Sequence, residues 1–269
     1  MKLIQIHDLK ANDIHAIWAL ANQPAVSLNG NVAWSFEGNG IRTRTSFIAA
    51  FRELGLAFTE LPNLLKTSER ACDLAAYLDP YYQLYVVRES NHQRLQEFAL
   101  ASSRPVINAM SGVGHPCEVL ADACYINDQV GDISKLRIGL WGPLTNVLHS
   151  WHELAEVLGF SVHHFCPQEF HRPSGQVRYH ALPATGQVDD MELDVLITDS
   201  WPASFEDNAW SLTQEHMASL GHPWLLPTPP FSVGREIGFD PATCSRFFGY
   251  HQKQILLPVQ RAILTYMVA

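Results

Sequence analysis

The sequence predicts an α/β protein of two domains, each with a parallel sheet flanked by helices. Short apolar segments alternate with segments of helical spacing along most of the chain, as is typical of parallel strands connected by helices. The length of 269 residues also suits two domains of ordinary size. We place the first domain at residues 1–128 and 250–269 and the second at 129–249, and we expect the final helix to pack against the first domain.

Each element has its own local signal. Apolar stretches bounded by Gly, Pro or Asn predict strands over 32–36, 57–61, 84–88 and 105–110, and over 136–141, 161–165, 193–198 and 224–226. Apolar residues three and four apart predict helices over 12–22, 68–78, 92–101, 146–158 and 254–267, with two more ending at Leu54 and beginning at His115-Pro116. Gly55 and Gly159 stand where left-handed helix caps belong.

Composition excludes several classes of protein. The net charge of −9 argues against nucleic acid and anionic membrane as partners. The chain has no apolar run long enough to span a membrane, and its N-terminus does not resemble a signal peptide. Five cysteines without a CxxC pair are typical of reduced thiols, so we expect a cytoplasmic protein. An anionic substrate would need a local basic pocket.

Such a pocket is predicted where the first long strand meets the next helix. Gly38, Asn39 and Gly40 form a flexible turn, and Arg42 to Arg44 fall in the first helical turn. Unpaired backbone N–H groups, the positive end of the helix dipole and two guanidinium groups would then bind a phosphate. The alternative is that both arginines are simply solvated, since a helix N-terminus favours acids over bases.

At this point the sequence resembles the aspartate and ornithine carbamoyltransferases. Their phosphate motif is Phe-Glu-x-x-Ser-Thr-Arg-Thr-Arg-x-Ser-Phe, and residues 36–47 read FEGNGIRTRTSF. Further resemblances follow in order, at Val86-Val87-Arg88, Pro105–Ala109, His115–Asp122, Asn146-Val147 with Ser150, Thr198–Trp201, and Gly234 with Glu236-Ile237. The chain is therefore identified as a divergent member of this family, closer to its ornithine branch.

The resemblance implies an activity and a set of site residues. The activity is transfer of a carbamoyl group from carbamoyl phosphate to an ornithine-like amine, without metal or cofactor, in a homotrimer with shared active sites. A loop around Leu64–Glu69 would reach the neighbouring subunit. The implied catalytic residues are Arg42, Thr43, Arg88 and His115; the phosphate-binding residues are Gly40, Ile41, Arg42, Thr43 and Arg44; the carbamoyl contacts are Arg88, His115, Glu118, Thr228 and Pro229; and the acceptor-binding residues are Asn146 and Asp199.

Departures from the family pattern leave two alternatives open. Gly40-Ile41 replaces Ser-Thr, Glu118 replaces Gln, residues 227–230 replace His-Cys-Leu-Pro, Val233 replaces an arginine and Leu256 replaces a basic residue. These changes are compatible with a non-catalytic or regulatory protein that binds a small anion. They are also compatible with a transferase whose donor has changed, because Glu118 would repel a phosphoanhydride unless it is protonated or paired with an arginine.

A second group of residues could in principle bind a metal. His163, His164, Cys166 and His171 are of ligand type, but their spacing matches no standard zinc pattern. His163 and His164 would also point to opposite faces of a strand. Two further candidates are weak: His149 and His152 share a helix face but lack a third ligand, and Cys117 lacks a base partner. We therefore expect no metal site.

Overall fold

The computed structural model describes residues 1–182 and 191–268. The chain divides into two compact units, unit 1 (Met1–Tyr125 and Lys253–Ala269) and unit 2 (Ile126–Gln252). Both are α/β units with parallel sheets, so the predicted fold class is confirmed. No described helix is both long and apolar enough to cross a membrane.

All strand pairs in the two sheets are parallel. Within the described residues, the strands are β1 (Lys2–Leu3), β2 (Asn31–Phe36), β3 (Ala57–Glu60), β4 (Leu84–Glu89), β5 (Val106–Ser111), β6 (Ile138–Trp141), β7 (Val162–Phe165), β8 (Val177–His180), β9 (Val195–Thr198) and β10 (Trp224–Pro227). Unit 1 has the strand order β1-β5-β4-β2-β3, and unit 2 has the order β10-β9-β6-β7-β8. From β2 in unit 1 and from β6 in unit 2, the chain moves outward in two directions, and β1 is added at the edge of the first sheet. Ligands of such sheets bind beyond the carboxyl ends of the strands.

Helices follow most strands. Those in the described part of the chain are α1 (Ala11–Ala21), α2 (Ile41–Glu53), α3 (Ala71–Leu78), α4 (His92–Ala101), α5 (Pro116–Gln129), α6 (Asn146–Leu158), α7 (Gln214–Ser219) and α8 (Leu256–Val268). The caps agree with local chemistry: the Asn91 side chain accepts from Arg94 N at the start of α4, and Gly159 ends α6 with φ 75°. Buried strand residues such as Val32, Tyr85 and Ile107 form the core beneath them.

The last helix packs against unit 1, as predicted. α8 contacts α1 and α2. Arg261 Nη1 lies 2.9 Å from Glu53 Oε2 at the end of α2, and the Tyr266 hydroxyl donates to Asp13 Oδ1 of α1 at 2.6 Å. Buried Val259 and Ile263 provide the apolar contact. Unit 1 is therefore completed by a segment that follows the whole of unit 2.

Three element predictions were incomplete or wrong. The helix predicted from residue 68 begins at Ala71, because Arg70 is extended and Glu69 N donates to Thr67 Oγ1 in a local turn. The final helix is preceded by a short 3-10 helix, His251–Ile255. The elements β1, β8 and α7 were not predicted, since each has six residues or fewer and none carries a clear periodic pattern.

Candidate active site

The turn from β2 to α2 has the geometry that the sequence predicts. Gly40 is the N-cap of α2 in the left-handed region, with φ 43°, and its carbonyl accepts the first helical hydrogen bond from Arg44 N at 2.8 Å. Thr43 is buried in the first helical turn, whereas Arg42 is exposed. The helix N-terminus therefore carries an accessible guanidinium group at its positive end.

Arg88 reaches over this turn from the neighbouring strand. β2 and β4 are paired so that Phe36 lies opposite Arg88, and the Arg88 Cζ atom is 5.9 Å from the centre of the Phe36 ring. A Cβ atom placed on Gly40 would lie 3.0 Å from Arg88 Nη1 and 2.9 Å from Phe36 Cε1. Glycine is thus required at position 40 by both its backbone angle and the close approach of two side chains.

Replacing Gly40 with Ala should weaken phosphate binding about tenfold, equivalent to about 1.4 kcal/mol. The left-handed backbone of a non-glycine residue costs about 1 kcal/mol, and the new methyl group displaces the Arg88 side chain from the turn. Calorimetry with inorganic phosphate measures the change. The matched control is Gly38→Ala, which has φ 67° but no atom within 4 Å of its new Cβ, so it adds strain without displacement. Equal phosphate affinity of G40A and wild type would contradict this reading.

The second guanidinium group of the motif is already paired. Arg44 forms an ion pair with Glu60 of β3, and its Cζ atom lies 5.2 Å from the centre of the Phe36 ring. Ile41, in place of a hydroxyl residue, is exposed. The predicted roles of Arg44 and Ile41 in binding phosphate stay predictions, and the contacts favour a supporting role for Arg44.

The loop that was predicted to reach a neighbouring subunit is anchored within unit 1 by Lys66. Lys66 Nζ lies 3.2 Å from Glu37 Oε1 and also contacts the buried Glu89 carboxylate. Glu37 in turn accepts from Ser90 N at 2.6 Å, and its own N–H donates to Arg88 O at 3.0 Å. Glu37 therefore connects this loop to the strand end that carries Arg88.

His115 precedes α5 and is buried beside two cations and a carboxylate. Burial lowers the pKa of His115 to about 4; Glu118 opposes this shift, and Arg88 and Lys253 add to it. The imidazole is therefore neutral at pH 7. Its Nε2 lies 3.9 Å from Glu118 Oε2. A neutral imidazole can donate one hydrogen bond to a carbonyl oxygen, which is the role implied by the resemblance.

Three of the predicted catalytic residues share one electrostatic environment. Burial lowers the pKa of Arg88, which also interacts with Glu37, Glu118 and Arg42. Arg88 is at the end of β4, His115 follows β5 and Arg42 follows β2, and these three strands are neighbours in the sheet, so the three residues lie in one region of unit 1. This region follows the carboxyl ends of β2, β4 and β5.

Lys253 belongs to this region and was not predicted. Its Nζ atom bonds to Glu118 and lies 3.0 Å from Asp122 Oδ1. Burial alone would raise the pKa of Glu118, but Lys253 lowers it below its ordinary value, with smaller contributions from His115 and Arg42. Since His115 is neutral at pH 7, Lys253 is the main cause. The acid that replaces the family's glutamine is thus paired with a lysine.

The predicted residues of unit 2 lie along one edge of its sheet. Asn146 begins α6 after β6, and Asp199 and Thr228 directly follow β9 and β10. These three strands are neighbours in the sheet, and Thr228 N donates to Thr198 O at 2.7 Å. Asp199 and Thr228 are both buried, and Pro229 continues the same segment. The carboxyl edge of this sheet therefore carries the two residues predicted to bind the acceptor, Asn146 and Asp199, together with Thr228 and Pro229, which were predicted to contact the carbamoyl group.

Two residues fix the loop that follows Asp199. Buried Glu236 accepts from Trp201 N at 3.0 Å and from Ser232 N at 2.7 Å. Arg235 donates from Nη2 to Pro202 O at 2.8 Å and also contacts Glu236 at 3.1 Å. The loop is thus held by a buried carboxylate and by bonds to main-chain carbonyl groups.

The histidines of unit 2 bond to one another and to the backbone. His164 Nε2 donates to Gly142 O at 2.9 Å, so its Nδ1 is the acceptor for His152 Nε2–H at 3.0 Å. His163 instead pairs with His180 across β7 and β8, at 3.0 Å between ring nitrogens. Residues 1–182 and 191–268 contain no group of three or more His, Cys, Asp or Glu arranged to hold a metal ion.

The geometry defines a class: an α/β protein of two parallel-sheet units, with an exposed arginine at the N-terminus of the helix that follows a strand–helix turn. Comparison with known families agrees with it. Residues 2–128 match the family model of the aspartate/ornithine carbamoyltransferase carbamoyl-P binding domain. The ornithine carbamoyltransferase of Methanococcus vannielii is 30% identical over 272 residues, covering 89% of this chain and 88% of that protein. That of Rhizorhabdus wittichii is 32% identical over 181 residues, covering 63% of this chain and 58% of that protein.

The fold is shared with solved structures as well. Ornithine carbamoyltransferases from Pyrococcus furiosus and Thermus thermophilus each give a TM-score of 0.87 at 22% identity, over 99% of this chain and 96% and 98% of theirs. The chain belongs to the aspartate/ornithine carbamoyltransferase family, and its relatives lie in the ornithine branch. The family assignment made from the sequence motifs is confirmed.

Proposed function

We propose that this protein transfers the carbamoyl group of carbamoyl phosphate to the amine of an ornithine-like amino acid or a related small amine. One observation supports the proposal: Arg42, Arg88 and neutral His115 follow or end three adjacent parallel strands of unit 1, β2, β4 and β5, at the carboxyl edge of the sheet. Two guanidinium groups suit a phosphate, and a neutral imidazole suits a carbonyl oxygen.

The reaction uses these groups in separate roles. The uncharged amine attacks the carbonyl carbon, a C–N bond forms, and the C–O bond to phosphate breaks with its electron pair leaving on phosphate. Arg88, His115 and Thr43 stabilise the oxyanion that develops. Arg42 and the helix N-terminus hold the departing phosphate, which accepts the proton of the amine. Asn146 and Asp199 orient the acceptor.

The remaining expectations belong to the same proposal. Family membership supports a homotrimer, and none of the described cysteines forms a disulfide, which fits a reducing cytoplasm. Unit 1 serves as the carbamoyl phosphate-binding domain and unit 2 as the acceptor-binding domain. The chemistry requires no metal or organic cofactor, because positioned charges and hydrogen bonds are enough to stabilise the oxyanion and the leaving phosphate.

Phosphate release from carbamoyl phosphate tests the proposal directly. The purified protein is assayed with a panel of amines that includes ornithine, lysine, putrescine and aspartate, and the carbamoylated product is identified by mass spectrometry. We expect release above the spontaneous rate with at least one amine that carries a second amino group. A folded protein that releases no phosphate with any amine would refute it.

A second candidate is a non-catalytic protein that binds a small anion. It is favoured by the loss of two hydroxyl groups at Gly40 and Ile41, since losing one hydrogen bond to a charged group costs about 1.5–3 kcal/mol. Thermal stabilisation by carbamoyl phosphate without turnover would support this candidate. The third possibility, a transferase with a changed donor, was suggested because an acid at position 118 would repel carbamoyl phosphate. The ion pair between Lys253 and Glu118 weakens this argument, because the lysine offsets the charge of the carboxylate.

A further inference from the structure

A buried ion cluster lies next to the predicted carbamoyl site. Its members are Glu118 and Asp122 of α5 and Lys253 of the 3-10 helix before α8, and all three belong to unit 1. The Lys253 ammonium bonds to Glu118 Oε1 and lies 3.0 and 3.3 Å from the two Asp122 oxygens. The side chains of Lys253, Glu118 and Asp122 are 12%, 7% and 0% exposed. Ion pairs this buried persist only with good hydrogen bonding.

The lysine determines which hydrogen bonds Glu118 can make. An ionised carboxylate only accepts hydrogen bonds, whereas a glutamine amide both donates and accepts. Because Lys253 occupies Oε1, the other oxygen, Oε2, is the one directed towards His115, at 3.9 Å from its Nε2. A hydrogen-bond acceptor and an imidazole nitrogen thus stand side by side at the carbamoyl site.

We propose that Lys253 is a positioning residue that keeps Glu118 as a group that only accepts hydrogen bonds, so that the site selects donors whose acyl carbon carries an N–H group. The inference rests on the proposed function, because it assigns the donor class for that same site. A carbamoyl group, O=C–NH2, offers its carbonyl oxygen to His115 and its N–H to Glu118. An acyl phosphate with a methyl group in place of the NH2 leaves the Glu118 oxygen facing a carbon atom, which is unfavourable for a buried charge.

The lysine has an electrostatic effect as well. Burial raises the pKa of the Glu118 carboxyl, and Lys253 opposes that shift. Without Lys253, burial favours the protonated carboxyl, which donates as well as accepts a hydrogen bond. Removing Lys253 should therefore reduce the selectivity for the NH2 group.

Two phosphonates that differ in a single group test the proposal. Phosphonoacetamide carries an NH2 group where acetonylphosphonate carries a methyl group, and neither is hydrolysed. Calorimetry at pH 7.5 should show at least tenfold tighter binding of the amide to the wild-type protein. In Lys253→Met the preference should fall below threefold, and Lys253→Arg should retain most of it. Lys135→Met is the control for net charge, since Lys135 is exposed and pairs with Asp132 on the surface of unit 2.

A double substitution separates this role from a merely structural one. In Glu118→Gln, the amide oxygen should turn to Lys253 and leave the Nε2 donor facing the ligand, so the preference for the NH2 ligand should be lost. In Glu118→Gln combined with Lys253→Met, the glutamine can turn again and present its oxygen. The double variant should therefore regain at least part of the preference that each single variant lacks.

Every outcome decides the matter. Equal affinity of the wild type for both phosphonates, a preference unchanged in folded K253M, or an unchanged preference in E118Q would each overturn the inference. If K253M does not fold, the E118Q result alone decides. Selective binding of the amide without any phosphate release would refute the proposed transferase activity and leave this inference standing. Failure of both phosphonates to bind the wild type would overturn this inference, whereas the transferase proposal is refuted by the absence of phosphate release.

Discussion

Replacing Arg88 with Met should lower kcat/KM for phosphate release from carbamoyl phosphate by about 100- to 1000-fold, the usual effect of removing one preorganised donor from an oxyanion site. Arg88 is half-buried beside the Gly40 turn, close to Arg42 and Glu118. Its loss would remove positive charge from both the developing oxyanion and the phosphate. Steady-state assays with the best amine of the panel measure the change.

The control for this substitution is Arg52→Met. Arg52 is an exposed arginine in the last turn of α2, at the opposite end of the helix from Gly40. We expect R52M to retain wild-type kinetics within about twofold, since an exposed charge at this distance is screened by solvent and salt. An R88M protein that folds and turns over like R52M would show that Arg88 has no part in the reaction.

Acid should unfold unit 2 through its buried histidine pair. Burial lowers the pKa of His164 to about 4 and that of His152 to about 3, in the second case with help from the neighbouring histidines. In the unfolded chain both titrate near pH 6.5, so below that pH the unfolded state binds protons that the folded state rejects. The pair's contribution is fully present above pH 6.5 and is lost as the pH falls towards 4.

The size of this effect follows from the shift. For His164, a change from 6.5 to about 4 corresponds to about 3 kcal/mol of unfolding free energy. Its physical cause is the direction of the two hydrogen bonds of His164. Nε2 donates to Gly142 O, and a proton added at Nδ1 would face the N–H group of His152. The free energy of unfolding, measured in urea with a signal from unit 2, should fall from pH 7.5 to pH 6 and again to pH 5.

NMR titration gives the direct measurement. In the folded protein, the ring signals of His152 and His164 should not change between pH 8 and pH 5. A midpoint near pH 6.5 for either member of the pair would contradict the assignment. The double variant His152→Gln/His164→Gln should be less stable at pH 7.5 but should lose less stability on acidification.

The donor side of the site could be predicted because its residues lie directly after strands. In a parallel sheet the carboxyl ends of adjacent strands meet at one edge, and Phe36 and Arg88 are indeed paired in register. The turn at Gly40 was predictable from glycine chemistry and the helix pattern after it. Local sequence and sheet topology together were sufficient for these residues.

Lys253 could not be predicted in the same way. It lies 135 residues from Glu118 in the chain, in a 3-10 turn without apolar periodicity, and nothing in its surroundings indicates a buried partner. The sequence offered one signal. A buried acid at position 118 requires a cation, and Lys253 is one of few lysines and directly precedes the final helix, which was expected to pack against the first domain. The pairing of Arg44 with Glu60 was missed for the same reason, since it depends on the order of the strands.

The late return of the chain has a consequence for synthesis on the ribosome. α8 supplies apolar cover for α1 and α2, and Lys253 supplies the cation for two carboxylates in α5. Until these last residues emerge from the exit tunnel, the nascent unit 1 exposes an apolar groove and carries uncompensated acids. Termination between residue 200 and Lys253 would therefore leave unit 1 without the helix that covers α1 and α2 and without the cation of its buried ion cluster.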